Sequence, residues 1–539
     1  MAISKRLVIA VVLIIIILVA GYFGYTYYTR MVEISEKEKV LIIAADDGEP
    51  ITLDPHVSYS TDSMRINRGA YEKLLDYKPG SLTDFDPSLA ESWDVSADGK
   101  VYTFHLRQGI KFHDGTPFNA TAVEYSFERL KTMGKGPAWF IVGPVAEVKV
   151  TDTYTVTFTL TDVYTDFLHR IAAGWGFYIV SPSSFKAQAT SDDPWAEKWA
   201  YDHMSGTGPY KLLEWKHHDH VTLVKYDEYW KGWAGKHLER IIVKEVKEMT
   251  TQRLLLEKGD VDISYTMTIT DLLELKGHPE IDAVIEPSFN ALYIFMHTQR
   301  APLNDKRVRQ AVSYAYDYKA AVETILHGTG KQMQGPLPSS LWGWDPNAPM
   351  YTTNLEKAKQ LMAEAGYPNG VEQTLVYTYP SGDEPKKMAG EVLKVSLAKI
   401  GINVEIKGLV WAEQAAEAKN PETAPDFFSL YWWPDYADPI DYLYAMFHSS
   451  MQGDVGYNWA YYSNTEVDTV LDTATVTPDV SKRTEMYKEL QRILVEEAPS
   501  LYVFELPYTM GMRKWVKGFV YNPLFIGTFN LYEMRKDLT

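Results

Sequence analysis

The stretch LAESWDVSADGKVYTFHLRQGIKFHDGTPFNATAVEYSFERL, residues 89–130, combines the strand, turn and helix signals that decide the class of fold. Apolar side chains alternate with polar ones in its first half, at Tyr102, Phe104 and Leu106. This alternation predicts a half-buried strand, and the Asp-Gly pairs at 98–99 and 114–115 predict tight turns. Asn119 matches a glycosylation sequon, but it precedes a helical pattern, so we predict that it is a helix N-cap.

The same mixture continues along the chain. VLIIAA at 40–45 predicts a buried first strand, and TVTFTL at 155–160 predicts a half-buried one. One helix is predicted to begin at the N-cap Asn304 and to stop at Gly328, and a second to begin at Asn354. Because helices and strands alternate throughout, the sequence predicts an α/β fold rather than a solenoid or an all-β stack.

Composition excludes several classes of function. The chain has 539 residues, of which 46% are hydrophobic, so two or three domains are expected. A formal charge of −18 and the lack of a long basic stripe predict no nucleic-acid partner. The chain has no cysteine, which removes disulfides, thiolate nucleophiles, thiolate zinc sites and a lipidated cysteine anchor. Any membrane anchor must therefore be made of peptide.

The N-terminus predicts such an anchor. Residues 7–25 follow Lys5 and Arg6, carry no charge and are close to the length of a membrane-spanning helix. A cleaved signal peptide, with a weak cleavage candidate at 19–21, is the alternative. We predict an anchor at 1–30 and a charged spacer at 31–39, which gives a single-pass protein of the cell membrane with its folded part outside the cell.

Seven phrases in order carry a resemblance to a known family. Besides the opening stretch, they are LDP at 53–55, GTGPYKL at 206–212, LLLEKGDVDI at 254–263, PLNDKRVRQAVSYAYD at 302–317, AKQLMAEAGYPNG at 358–370 and YWWPDYADPIDYL at 431–443. Together they resemble the family 5 extracellular solute-binding proteins of ABC transporters, the group that binds dipeptides, oligopeptides and nickel. The resemblance runs from about residue 40 to the C-terminal end.

The resemblance implies a two-lobed clamshell like that of periplasmic binding proteins, with an extra inserted subdomain. Lobe I is expected at 40–292 plus 508–539, with the insertion at about 71–207, and lobe II at 293–507. Gly206 and Gly208 are expected to allow unusual backbone dihedrals where the chain crosses between lobes. The solute would be buried between the closing lobes, and the closed form would be recognised by a permease. Separate ATPase subunits would supply the energy, because the chain lacks a G-x-x-x-x-G-K-[ST] loop.

The stretch at 431–443 is the candidate site, because it sets three carboxylates among aromatic side chains. In peptide-binding members of the family, an aspartate that matches Asp435 pairs with the α-amino group of the ligand. Aromatic contacts are predicted from Trp432, Trp433 and Tyr436. We predict that Asp438 caps a helix beginning at Pro439, and that Asp441 is an ordinary acid of its first turn.

Other predicted ligand-binding residues are Tyr379, Tyr59 and Ser60. Dipeptide binders hold the ligand carboxylate with an arginine, and Tyr379 occupies the matching position here. A tyrosine cannot neutralise a carboxylate, so the ligand can be a longer peptide or an oligosaccharide instead of a dipeptide. No cofactor is predicted.

Three alternatives compete with an ABC receptor. A membrane-anchored carbohydrate-active hydrolase would need paired carboxylates such as Asp435 with Asp438 or Asp441, which lie close together in the sequence, whereas glycosidase acids usually come from separate elements. No serine or zinc hydrolase motif is present. The histidine cluster at 217–220 is predicted to be a solvated turn rather than a metal site. A surface sensor with the same clamshell is the third alternative.

Overall fold

The computed structural model describes residues 18, 19, 21–23, 25–29, 31, 35–45, 49–525 and 528–538. Its strands are β1 Val40–Ala45, β2 Leu75–Tyr77, β3 Phe85–Pro87, β4 Ala90–Val95, β5 Val101–Leu106, β6 Val145–Asp152, β7 Thr155–Leu160, β8 Tyr210–Lys216, β9 His220–Lys225, β10 Arg240–Glu245, β11 Ile263–Ser264, β12 Ile281–Met296, β13 Lys331–Gln332, β14 Thr374–Pro380, β15 Asn403–Leu409, β16 Phe427–Trp432, β17 Ser500–Arg513, β18 Val516–Lys517 and β19 Arg535–Lys536. From residue 49 onward the α-helices are Thr61–Ala70, Ala120–Met133, Ala138–Ile141, Phe167–Ala172, Pro182–Gln188, Glu197–Ala200, Met249–Lys258, Ile269–Leu275, Lys306–Ala315, Tyr318–Ile325, Leu355–Glu364, Glu384–Ala398, Trp411–Ala418, Pro439–Phe447, Thr465–Thr475 and Val480–Glu497.

One large sheet includes strands from β1 through to β17. Its strand order is β15-β14-β16-β12-β17-β11-β1-β10-β9-β8, and β13 pairs with β17 at the side. At one end β14 is parallel to both β15 and β16, and at the other end β1 is parallel to β10 and β11. The long antiparallel strands β12 and β17 join these two parallel groups. The α/β class predicted from the sequence is confirmed.

The pairing of β12 with β17 is irregular near the middle of the two strands. The register shifts between Pro287 and Ala291, and Pro287 faces Pro507 across the ladder. Proline has no backbone N–H group, so this pair of residues contributes no N–H donors to the sheet. The Ser288 hydroxyl donates a hydrogen bond of 2.6 Å to the carbonyl oxygen of Leu506 and so links β12 to β17 at this irregularity.

The opening stretch folds largely as its pattern predicts. It supplies β4 and β5 of a separate antiparallel sheet, whose strand order is β4-β5-β7-β6. Asn119 caps the helix Ala120–Met133 by accepting a hydrogen bond from the N–H of Ala122, so the cap prediction is confirmed. The rings of Phe104 and Phe127 both pack against Phe158, at 5.5 and 5.9 Å between centroids. The helix therefore packs against this sheet, in which β4 and β5 precede the helix in the chain and β6 and β7 follow it.

Two local predictions need correction. The segment 304–328 forms two helices, Lys306–Ala315 and Tyr318–Ile325, because Tyr316 takes an extended conformation. The N-cap of the first is Asp305, not Asn304, and its side chain accepts a hydrogen bond from the N–H of Arg307. The predicted cap at Asn354 is confirmed.

Gly206 and Gly208 are required for close packing rather than for unusual dihedrals. Neither has a positive φ angle. A Cβ atom on Gly206 would lie 2.1 Å from the carbonyl oxygen of Ala70, and one on Gly208 would lie 2.7 Å from the carbonyl carbon of Ala70. The segment is thus pressed against the end of the helix Thr61–Ala70.

The predicted membrane anchor at 7–25 lies mostly outside the described residues. Within the part of the chain that the structure describes, no helix has the length and apolar character needed to cross a membrane.

Candidate functional site

The carboxyl ends of β14, β15 and β16 lie at one edge of the large sheet, because these strands are parallel. Ligands of open α/β sheets bind in the crevice outside such an edge. The segment 433–438, here called the aspartate loop, follows β16 at this edge and leads into the helix Pro439–Phe447. The loop contains Asp435 and lies where the topology favours binding.

Asp435 is buried and contacts a residue from the N-terminal part of the chain. Its Oδ1 atom accepts a hydrogen bond from the hydroxyl group of Tyr59, which lies just before the helix Thr61–Ala70. The Tyr59 oxygen in turn accepts a hydrogen bond of 3.2 Å from the indole N–H of Trp139. The Tyr59 ring lies 5.0 Å from the ring of Trp175. Two predicted site residues, Tyr59 and Asp435, are therefore in direct contact.

Asp441 is not the ordinary first-turn acid that the sequence predicts. It is in the first turn of its helix, but it is only 3% exposed. Its Oδ2 atom accepts hydrogen bonds from the backbone N–H of Asp435 and from the indole N–H of Trp432, both at 3.2 Å. The prediction missed this because the chain reverses at the aspartate loop, which brings the helix back beside the end of β16.

Asp438 has the predicted structural role. It is the N-cap of the helix that begins at Pro439, and its side chain accepts a hydrogen bond of 3.0 Å from the N–H of Ile440. The hydroxyl group of Tyr487 donates a second bond of 3.0 Å to the same oxygen. These two donors hold the start of the helix, and with it the end of the aspartate loop.

Burial makes all three carboxyl groups harder to ionise. It raises the pKa of Asp435 to about 7, against the opposing effects of the Tyr59 hydrogen bond and the Arg170 charge. Burial and the nearby Asp435 charge raise the pKa of Asp441 well above its ordinary value. Burial raises the pKa of Asp438 to about 6. Arg170 is paired with Asp166 at 2.6 Å, so the site has an excess of acids that favours a cation.

The predicted aromatic residues differ in their surroundings. Tyr436 is buried, with its ring 6.1 Å from that of Phe140 and 5.0 Å from the guanidinium carbon of Arg170. Trp432 is buried with its ring 4.9 Å from that of Tyr457. Trp433 is only partly buried. Tyr436 thus packs against residues 140 and 170 from the N-terminal half of the chain, and Trp432 packs against Tyr457 from the C-terminal half.

Tyr379 and Ser60 are the remaining predicted ligand-binding residues. Tyr379 lies near the carboxyl end of β14, opposite Gly408, with its ring 6.3 Å from that of Tyr377. Ser60 is the N-cap of the helix Thr61–Ala70, and its hydroxyl oxygen accepts a bond of 3.3 Å from the N–H of Ser63. Tyr379 shares the edge of the sheet with Asp435, while the Ser60 hydroxyl fixes the helix that follows Tyr59.

The sequence predictions missed Trp139, Arg170 and Trp175, which all come from the inserted segment. Trp139 is 50% exposed although it is a large aromatic residue. It lies in the Gly-rich run GKGPAWF at 134–140. An aromatic residue within a Gly-rich run is the sequence signal that could have identified Trp139 as a candidate site residue. Nothing in the sequence connects this run to the aspartate loop, about 300 positions further along.

The histidine cluster lies in a turn, as predicted. Residues 217–219 connect β8 to β9, and Glu49 accepts hydrogen bonds from the His217 ring at 2.9 Å and from the backbone N–H of His218 at 3.2 Å. Among the described residues, no group of three or more His, Cys, Asp or Glu side chains is arranged to hold a metal ion.

Comparisons with known proteins agree with this architecture. Residues 84–454 match the family described as bacterial extracellular solute-binding proteins, family 5 middle. The probable D,D-dipeptide-binding periplasmic protein DdpA of Escherichia coli (strain K12) is 34% identical over 501 residues, which are 92% of this chain and 95% of that protein. Heme-binding protein A of Haemophilus influenzae is 32% identical over 502 residues, 89% of each chain.

A solved structure shows the same fold. The ABC transporter-associated periplasmic binding protein DppA from Helicobacter pylori, in complex with the peptide STSA, superposes with a TM-score of 0.78 at 25% identity. The match covers 93% of this chain and 99% of that one. The two-lobed fold of periplasmic binding proteins is confirmed, and so is the prediction of a binding protein that is not an enzyme. The chain belongs to the bacterial extracellular solute-binding proteins of family 5.

Proposed function

We propose that this protein is the receptor of an ABC importer that captures a peptide by its amino end and delivers it to a permease. The lobes that close on the peptide are those predicted from the sequence, 40–292 plus 508–539 and 293–507, with the insertion at about 71–207. The observation that carries the proposal is the position of Asp435, a buried carboxyl group at the carboxyl edge of the sheet that meets the opposite lobe through Tyr59.

A peptide ammonium group suits this position electrostatically. Among the described residues, no lysine or arginine is bonded to Asp435, and Arg170, whose charge acts on Asp435, is already paired with Asp166. A bound ammonium group would lower the pKa of Asp435 and form charge-assisted hydrogen bonds, which are about twice as strong as neutral ones. Tyr436 and Trp433 are placed beside Asp435 in the loop and would line the rest of the site, together with Tyr379 and Ser60 along its rim.

The names of similar proteins support a peptide as the first class of solute to test. Relatives are described as binding D,D-dipeptides or heme, and one solved structure holds the peptide STSA. An oligosaccharide is the second candidate, because Tyr59 and Trp139 are 40% and 50% exposed and sugar rings stack on aromatic faces. The residues at 7–25 would hold the receptor at the outer face of the membrane, beside the permease.

A thermal-shift screen of the purified protein tests the proposal, because a ligand that binds only the folded state raises its melting temperature. The screen uses tri-alanine, N-acetyl-tri-alanine, maltotriose and hemin. We expect stabilisation by tri-alanine, loss of that stabilisation in Asp435→Ala, and none by the acetylated peptide. Asp227→Asn, a change of an exposed acid, is the control. Stabilisation by maltotriose alone, or equal stabilisation by both peptides, would overturn the proposed role of Asp435.

A further inference from the structure

We propose, on the basis of the function proposed above, that Asp441 is the positioning residue that holds Asp435 and Trp432 in place for solute capture. The two residues are bonded to one oxygen atom of Asp441, through the backbone N–H of Asp435 and the indole N–H of Trp432. Trp432 ends β16 and Asp435 lies in the middle of the aspartate loop. Asp441 thus ties the loop to the strand that precedes it.

The aspartate loop depends on a small number of such bonds. Its other backbone contacts lie near Ala437, whose N–H is bonded to the Tyr77 hydroxyl at 3.2 Å and whose carbonyl oxygen accepts from the Trp342 indole at 2.8 Å. Pro434 has no N–H group to offer. The bond to Asp441 is therefore the one that fixes the backbone of Asp435 itself, and with it the direction of the carboxyl group.

The side chain of Asp441 accepts both bonds from a buried position. Asp441 is 3% exposed, and the backbone of Asp435 lies 3.2 Å from its Oδ2 atom. The amide oxygen of an asparagine can accept the same two bonds without the cost of burying a charge. Asparagine is therefore the variant that keeps the positioning bonds while it removes the ionisable group.

Asp435 and Asp441 are coupled electrostatically, because the Asp435 carboxylate raises the pKa of the Asp441 carboxyl group. The other titratable and charged groups coupled to Asp441 from the surrounding elements are Tyr59, Arg170, Tyr436, Tyr442 and Tyr457. The tyrosines do not titrate near neutral pH, and Arg170 is bonded to Asp166. Two neighbouring buried carboxyl groups share a proton rather than both ionise. An ammonium group that enters the site replaces this proton, so that capture of a cationic solute releases a proton near pH 7.

Two substitutions separate positioning from charge. Asp441→Asn keeps an acceptor for both bonds and removes the charge, whereas Asp441→Ala removes both. We measure the affinity for tri-alanine between pH 5.5 and 8.5 with the full-length protein. Asp441→Asn is expected to bind within about twofold of the wild type and to keep the midpoint of the pH profile, because the carboxyl group of Asp441 holds its proton while Asp435 ionises. Asp441→Ala is expected to weaken binding at least about tenfold at every pH, because the loop is released.

A second measurement needs no ligand. The indole N–H signal of Trp432, assigned by Trp432→Phe, is followed by NMR as the pH is raised. The signal should shift through neutral pH as Asp435 ionises, both in the wild-type protein and in Asp441→Asn, and this transition should be lost or displaced in Asp441→Ala. If the Ala variant binds as well as the Asn variant and keeps the same transition, the proposal is wrong. If tri-alanine fails to bind the wild-type protein while the indole signal titrates as expected, the proposed function fails and the positioning role of Asp441 stands.

Discussion

The hydroxyl group of Tyr59 donates a hydrogen bond to the carboxyl group of Asp435, although 376 positions separate the two residues in the chain. In the lobe boundaries predicted from the sequence, Tyr59 falls in lobe I and Asp435, in the loop after β16, falls in lobe II. With those boundaries, the bond would join the lobes at the atom that we assign to the solute. We therefore expect closure of the lobes and occupancy of the site to be linked through this contact, and the first prediction tests that link.

Tyr59→Phe should open the protein. Loss of one hydrogen bond of about 1 kcal/mol would reduce the ratio of closed to open forms about fivefold. Because the chain has no cysteine, spin labels can be placed at Lys149→Cys and Lys394→Cys, two exposed positions on the inserted subdomain and lobe II. The distance distribution between the labels measures the closed fraction. Tyr532→Phe, whose hydroxyl bonds Gly232 within lobe I, is the control, and an unchanged distribution in Tyr59→Phe would refute the link.

Asp435→Asn should stabilise the protein at alkaline pH while it impairs binding. A pKa of about 7 in place of 3.8 corresponds to roughly 4 kcal/mol of unfolding free energy. The folded-state pKa is raised, so this stability is fully present below pH 3.8 and is lost as the pH rises through 7. We expect the variant to melt at a higher temperature than the wild type at pH 8 and at about the same temperature at pH 4. Equal melting temperatures at pH 8 would contradict the prediction.

Arg129→Met should destabilise the fold strongly. Arg129 forms two bonds to the carboxylate of Asp54, of 2.7 and 2.5 Å, and both side chains are fully buried. Removal of one partner leaves a buried charge unpaired, at a cost of about 3–5 kcal/mol. Urea denaturation measures the loss. Lys135→Met, which breaks the exposed pair with Glu197, is the matched control and should change the midpoint little.

Gly206→Ala should prevent proper packing of the inserted segment. The added methyl group would lie 2.1 Å from the carbonyl oxygen of Ala70, which is backbone and cannot move aside cheaply. We expect a lower melting temperature or an insoluble protein. Gly143→Ala, where a methyl group meets nothing within 4 Å, should behave like the wild type. A variant of Gly206 as stable as that of Gly143 would show that this close approach is not required.

Local elements were predictable because their signals are local. The alternation at 101–106, the Asp-Gly turns and the caps at Asn119, Asn354 and Asp438 all depend on residues within about one turn of each other. The predictions failed where two equally good signals competed, as at Asn304 and Asp305. The prediction for Gly206 also failed. A glycine at this position indicated a special backbone requirement, but its residue type does not show whether that requirement is an unusual dihedral angle or close packing.

The sequence by itself determined the α/β class, the family and the identity of the loop that carries the acids. These follow from residue patterns within short windows and from the order of seven phrases. Only the tertiary structure decided what two of the three acids touch: that Asp435 meets Tyr59 and that Asp441 holds Asp435 and Trp432. The physical reason is that ionisation and hydrogen bonding depend on burial and on partners brought from distant parts of the chain, which no local pattern records.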